Sequence, residues 1–420
     1  MENSLYESHS FRRGRGLCIA QATLEYLVSL LCTGSFLATL TKALGFSDSL
    51  TGIISSFISL GCSFQLLSVF IKGRRTKPLV LVMSLMNQLL FTFLYAVPLL
   101  PLPGKVKTVL FLLSIFSAYI IYNLAHPKKI NWYMSFVEDS HRGIFTANKE
   151  IISLISGMVF SCLMGALIDG FTAEGKTHTA FLLAAITLSL LMVAHTVVMT
   201  ATAPPPKDKT REIKFSDSIK QIFANKALLK VTAVFIIYNI ANYAATPFYG
   251  IYQINELGLS LTYISIITLA GNLCRIAVSR FWGGYADKKG FARMCEKCFA
   301  LMAVSFLCAA LASPKNGAVL MLFYFIFHSI AMGGINSSLV NMIFDYAPHS
   351  LRADALAISQ AASGVAGFLA TLAVSPVVSL MQAGGNSLFG LTVYPQQVIS
   401  LFSLVLMGVL ILFLRKAVIK

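Results

Sequence analysis

Glu25 lies about eight residues into an apolar run, hence ~12 Å deep at 1.5 Å per residue. A carboxylate placed there carries a coupling proton, binds a cationic group, or pairs with a buried cation. Gln21, Ser29 and Thr33 share its helical face at i,i+4 spacing. Three further runs carry polar stripes of the same kind. One has Tyr119, Tyr122, Asn123 and His126, followed by Pro127, which is expected to break or kink the helix. The second has Asn239, Asn242, Tyr243, Thr246 and Tyr249, and the third has Tyr324, His328 and Asn336. Polar groups at such positions face a cavity or a partner helix. His328 is a second candidate for proton exchange, whereas His195 is read as packing. Glu150 and Arg275 are also ionisable groups inside apolar runs.

The elements that position these residues follow from composition. The chain has 420 residues, 56% hydrophobic and only 12% charged, against about 25% charged in soluble proteins. That excludes a disordered chain, a secreted disulfide scaffold and an ordinary soluble enzyme. Apolar runs predict twelve helical spans, numbered here in order: 17–40, 49–70, 78–100, 107–134, 143–168, 178–201, 229–251, 260–282, 294–312, 317–342, 354–378 and 396–414. The expected fold is an all-α integral membrane protein. The eight cysteines read as small apolar residues, and the Cys295-x-x-Cys298 pair lacks the partners a zinc site needs. No metal and no cofactor are expected.

Charge sets the orientation. Of 33 Lys and Arg, 27 fall in the two tails and the loops after even-numbered spans, and five in the other loops. Positive loops stay in the cytoplasm, so both termini are expected there, in a multi-pass protein of the cell membrane. The net charge of +16 is then topology, with anionic lipid headgroups as neighbours and no nucleic acid as partner. The basic stretch Phe11–Gly16 leads into a run too long for a cleavable signal.

The chain repeats itself. Leu44-Gly45-Phe46-Ser47 opens span 2, and Leu257-Gly258-Leu259-Ser260 opens span 8. At an offset near 210, Gly73 falls on Gly283 and Arg142 on Arg352. Polar residues 203–228, with three prolines, separate two six-span halves, 1–202 and 229–420; 215–229 is expected to form one short amphipathic helix.

With Gly283-Gly284-Tyr285-Ala286-Asp287-Lys288-Lys289-Gly290 and Arg293, the chain resembles the major facilitator superfamily, in its bacterial twelve-span form. The segment looks like that family's cytoplasmic loop signature after span 8. Phe291 stands where a basic residue is usual, and the equivalent first-half loop, Gly73–Pro78, has no Asp. Span 5 offers Gly157 and Gly165 but no Pro, unlike the family's antiporters. The resemblance implies gating by Asp287 near the start of span 11, with Gly283 and Gly284 allowing helix ends to approach. It also implies a central cavity lined by spans 1, 4, 7 and 10, and pairing of span 5 with 8 and of span 2 with 11. From that pairing we expect a Glu150–Arg275 bridge and a neutral Gln65–Gln360 counterpart.

Walker, zincin and nucleophile-elbow patterns are absent from the sequence, so neither ATP hydrolysis nor enzymatic chemistry is expected. The expected function is secondary transport of a small polar, neutral or cationic organic solute by alternating access, as a monomer, with protons as coupling ion. A lipid or amphiphilic-drug exporter of the same fold, and a non-transporting membrane sensor or enzyme, stay open as alternatives. Orientation is checked by fusions at the C-terminus. A green fluorescent protein should fluoresce there and an alkaline phosphatase should be inactive; an active phosphatase would reverse the topology.

Overall fold

The structure is a computed structural model that describes residues 9–70, 76–137, 142–204, 215–348, 352–388 and 391–419. Among these, eleven helices are long and apolar enough to cross a membrane, and twelve with one bent pair. That pair is α1 (His9–Leu31) and α2 (Gly34–Ala43), bent by 43°. Thr33 is extended there and Gly34 takes φ +55°, a left-handed conformation that glycine reaches without a Cβ clash.

Span 2 comprises α3 (Asp48–Ser55), α4 (Phe57–Ser63) and a 3-10 turn, Phe64–Phe70. Then come α5 (Thr76–Ala96), α6 (Gly104–Met134), α7 (Arg142–Ala173) and α8 (Thr177–Ala201). The single short helix expected over 215–229 is instead interrupted. α9 (Phe215–Ala224) stops before α10 (Lys226–Ala245) because the Asn225 side chain accepts the N–H groups of Ala227 and Leu228 at 3.1 Å and caps a new start. Pro247 ends α10 in a 3-10 turn, and α11 (Tyr249–Asn255) completes span 7. Spans 8 to 12 are α12 (Leu261–Lys289), α13 (Phe291–Leu311), α14 (Gly317–Tyr346), α15 (Arg352–Ala383) and α16 (Pro395–Ala417). A two-residue β-ladder pairs Ser387–Leu388 (β1) with Leu391–Thr392 (β2). Pro127 does not break its helix: α6 runs unbroken through it, as apolar surroundings penalise freed backbone groups more than water does.

The helices turn large apolar residues outward, as lipid permits. On α8, Ile186, Leu190, Val193 and Val197 are exposed, while Ala180, Ala184, Leu188, His195 and Met199 face inward. Small buried residues let neighbouring backbones approach closely.

The chain forms two compact units. Unit one holds residues 1–45, 64–210 and 260–265; unit two holds 46–63, 211–259 and 266–420. In unit two, α3 and α4 pack on α15, where Ser59 Oγ donates to Gly364 O at 2.9 Å. α13 packs against α14 and α16, and α10 against α15 and α16. Asp48 accepts from Asn255 Nδ2 at 3.0 Å and Gln382 Nε2 at 2.6 Å.

In unit one, α1 lies against α7 and α8, and α5 against α6 and α8. The unit also holds the first turn of α12. Asp169, on α7, accepts the N–H groups of Leu261 at 3.1 Å and Thr262 at 2.7 Å, plus the Thr262 hydroxyl at 2.7 Å. Ser260 Oγ accepts the next N–H, from Tyr263. A carboxylate at a helix start meets both free N–H groups and the positive end of the backbone dipole. One turn earlier on α7, a Cβ on Gly165 would sit 3.1 Å from Leu261 backbone atoms.

Replacing the Asp169 cap with alanine should therefore cost about 1 kcal/mol, and asparagine less. Overpacking by Gly165→Leu should cost about 1–3 kcal/mol. Thermal unfolding in detergent measures both; an unchanged midpoint for Asp169→Ala would remove the cap from the stability of unit one.

Candidate functional site

A polar cluster lies in unit one where α1, α6 and α8 carry their inward faces. Glu25 is paired with Lys129, both carboxylate oxygens accepting from its ammonium. The Lys129 side chain is 3% exposed and that of Glu25 14%, so the acid keeps the contact with its surroundings that the lysine lacks. Lys129 also stands 5.7 Å from the centre of the Tyr122 ring, and Tyr122 lies 5.3 Å from His126. Both His126 and His195 are within electrostatic reach of the Glu25 carboxylate. Gln21, fully buried, donates to Thr202 Oγ1. Lys77 donates at 2.7 Å to the carbonyls of Thr200 and Thr202, tying α5 to the end of α8. Thr23 and Ser153 hydroxyls meet at 3.1 Å between α1 and α7.

The count of cytoplasmic loop charges includes Lys129, and the structure places it elsewhere. Because α6 continues to Met134, Lys129 turns into the bundle instead. The signal available was the length of the predicted span, which already ran past Lys129 to 134. His195, expected to serve packing, is 1% exposed and belongs to this cluster.

Other predicted cavity residues divide. Asn123 joins α6 to the 3-10 turn of span 2, accepting from Gln65 Nε2 at 2.9 Å and donating to Tyr119 O at 2.8 Å. Tyr119 is buried against Phe91, ring centres 5.4 Å apart. Ser29 and Thr33 turn back on their own helix, donating to Tyr26 O and Ser29 O.

Unit two holds its own polar set. Tyr324 lies 4.9 Å from Tyr249 and 5.2 Å from His328, centre to centre. Tyr249 and Ser400 hydroxyls meet at 2.6 Å. The Tyr243 ring lies close to Gly367, whose absent side chain leaves it room. Asn239 donates to Phe235 O, and Thr246 to Asn242 O. Asn336 is exposed.

The predicted gate residues are placed as follows. Glu150 is exposed on α7, in unit one; Arg275 packs its stem near Gly333 on α14, in unit two. Gln65 sits in unit one and Gln360 in unit two. The Glu150–Arg275 and Gln65–Gln360 pairings stay proposals. Gly283 and Gly284 are exposed on the last turns of α12, and among the described residues a Cβ on either meets nothing within 4 Å; the close helix approach expected there stays a proposal. Gly290 does have a backbone role: φ +84° starts α13. Arg293 is exposed. The side chains of Asp287, Arg142 and Arg352, and residues 71–75, lie outside the described part of the structure.

These features agree with what is known of other chains. A sequence profile of the Major Facilitator Superfamily matches residues 17–371. The uncharacterized MFS-type transporter YuxJ of Bacillus subtilis (strain 168) is 26% identical over 216 residues, half of this chain and 54% of YuxJ. The match thus spans about half the length of that relative. Among solved structures, a mutant form of the nucleoside transporter NupG aligns at a TM-score of 0.75, with 12% identity, over 96% of this chain and all of that one. A D-xylose–proton symporter aligns at 0.70 with 12% identity, over 95% and 97%. A POT family transporter in complex with 5-aminolevulinic acid aligns at 0.70 with 12% identity, over 97% of each chain. At such identities the shared property is the fold. With its profile match, its membrane-spanning helices and this fold, the chain belongs to the major facilitator superfamily.

Proposed function

We propose that this transporter moves a small polar organic solute by alternating access, coupled to protons, with the Glu25–Lys129 pair as the coupling element. The reading is carried by that pair. Breaking a buried ion pair by neutralising one partner leaves the other charge unsupported, at about 3–5 kcal/mol. A proton therefore settles on Glu25 only when something else answers Lys129. A solute offering a hydrogen-bond acceptor or a carboxylate supplies that answer, so solute and proton enter together.

The pair has no net charge. Of the neutral and cationic solutes expected from sequence, this favours the neutral ones and admits zwitterions, whose two ends match Glu25 and Lys129. A solute with only positive charge would meet Lys129 unfavourably. The tyrosines near the polar set of unit two, Tyr243, Tyr249 and Tyr324, add flat apolar faces with a polar tip, which suit sugars, nucleosides and small peptides alike. Transport takes place across the cell membrane with both termini cytoplasmic, by the charge distribution of the loops. The two halves, 1–202 and 229–420, are the moving bodies in this reading, with Asp287, Arg142, Arg352, Glu150, Arg275, Gln65 and Gln360 as the gate on the cytoplasmic side. The protein acts as a monomer.

Purified protein in liposomes, given a panel of nucleosides, pentoses, amino acids and dipeptides under an imposed pH gradient, tests this. Glu25→Gln should lose gradient-driven accumulation and keep solute exchange at equal pH. Lys129→Met should destabilise the protein by about 3 kcal/mol, and the double variant Glu25→Gln/Lys129→Met should recover most of that loss. Accumulation by Glu25→Gln at the wild-type level would eliminate this acid as the coupling site.

A further inference from the structure

One face of α5 carries Ser84, Gln88 and Thr92 at i,i+4 spacing, a rise of ~12 Å. Ser84 and Gln88 are 3% and 0% exposed. The Ser84 hydroxyl, both ends of the Gln88 amide and the Thr92 hydroxyl are shielded, and none has a hydrogen-bond partner among the described residues. This is not the lipid-facing side of α5, which shows Val82, Met86 and Leu89. It is the side enclosed by unit one. Asn87 donates to Ala118 O on α6 at 2.9 Å, and Tyr95 to Leu31 O on α1 at 2.7 Å. The Tyr95 ring lies 6.1 Å from Phe181 on α8.

The same contacts fix the level of the stripe. Lys77 lies opposite 200–202 on α8 and Tyr95 opposite Phe181, so antiparallel packing puts Ser84 level with roughly residue 193. His195, whose Nε2 is buried and unpartnered, stands at that level. Tyr95 opposite Leu31 and Phe91 opposite Cys32 on α1 put Ser84 level with roughly residues 20–25. Glu25 stands there, whereas Gln21 lies lower, at the level of Thr202 to which it donates. The stripe thus begins level with Glu25 and ends four residues before the Ala96 end of α5.

A buried polar atom without a partner is costly, and a glutamine amide has four hydrogen-bonding positions to fill. Direct pairing within the stripe supplies none of them. Water does, since one molecule serves two to four polar groups. An apolar core would need only leucine or alanine at these three positions, so the polar residues have a hydrated interior to line.

We propose that unit one encloses a line of bound water along Ser84, Gln88 and Thr92, joining the Glu25–Lys129 pair to the end of α5 that the charge distribution assigns to the outside. It runs inside one unit. That protons travel on it rests on the coupling role of Glu25; the hydration itself does not.

X-ray hydroxyl-radical footprinting tests the water, since radicals formed from bound water modify adjacent side chains even where bulk solvent does not reach. Phe91 and Tyr95, on this segment and nearly fully buried, should be modified at least several-fold faster than Phe299 and Phe306, equally buried in unit two. In Ser84→Ala/Gln88→Met/Thr92→Val that excess should fall at least threefold. Equal rates at the four aromatics, or an excess untouched by the triple variant, would overturn the proposal. If the triple variant fails to fold, Gln88→Met alone is read in the same way, with the same two outcomes. The proton role is read separately by infrared difference spectroscopy after a pH step. The carboxylic C=O band that Glu25→Gln abolishes should appear at least tenfold more slowly in Gln88→Met. A band with unaltered kinetics would reject the line as the proton route. No such band in the wild type would reject coupling at Glu25, and with it proton travel on the line, while footprinting still decides the water.

Discussion

A charge in the interior of a membrane protein has to be answered by another charge, and here Lys129 answers Glu25. Much of unit one is arranged around that requirement. α6 must continue past Pro127 to deliver the lysine, α1 must present the acid on its inward face, and α8 must bring His195 and Thr202 close. Because neither charge is tolerated alone, the protonation of one member depends on the other. In the proposed function that dependence couples solute to proton, and it arises from solvation energy before any question of substrate.

The helical architecture was legible because lipid leaves a simple signature. Each span is an apolar run of roughly twenty residues or more, and α13, among the shortest expected runs, has the same boundaries to within a few residues. What resisted reading were the places where a local rule gave way to its surroundings. Pro127 announces a break, yet the helix persists. Asn225 looks like one more polar linker residue, yet its side chain starts a new helix. The partners of Asn225 are backbone N–H groups only two and three residues on, but side-chain periodicity registers apolar faces and not backbone bonds.

The site was half legible. Glu25 and Gln21 stood out by being polar where the run is apolar, and both lie in the cluster. Lys129 did not, since a lysine near the end of a span is ordinarily a topology signal. Ser29 and Thr33 shared the spacing of Glu25 but spend their hydroxyls on their own helix; spacing reports a face, and short hydroxyl side chains can ignore it. Asp169 gave no signal at all. Its role depends on the first turn of α12, some ninety positions later in the chain, and no local pattern connects the two.

The length of α6 bears on how the protein is made. Its 31 residues span ~46 Å at 1.5 Å each, against a hydrocarbon thickness of about 30 Å. Lys128 and Lys129 lie in the surplus at one end. A newly inserted α6 can therefore cross the bilayer with its first twenty-odd residues and leave both lysines among the headgroups. Lys129 meets Glu25 only as the bundle closes around α1. For the lysine, the surplus length of α6 thus separates crossing the bilayer from pairing with Glu25.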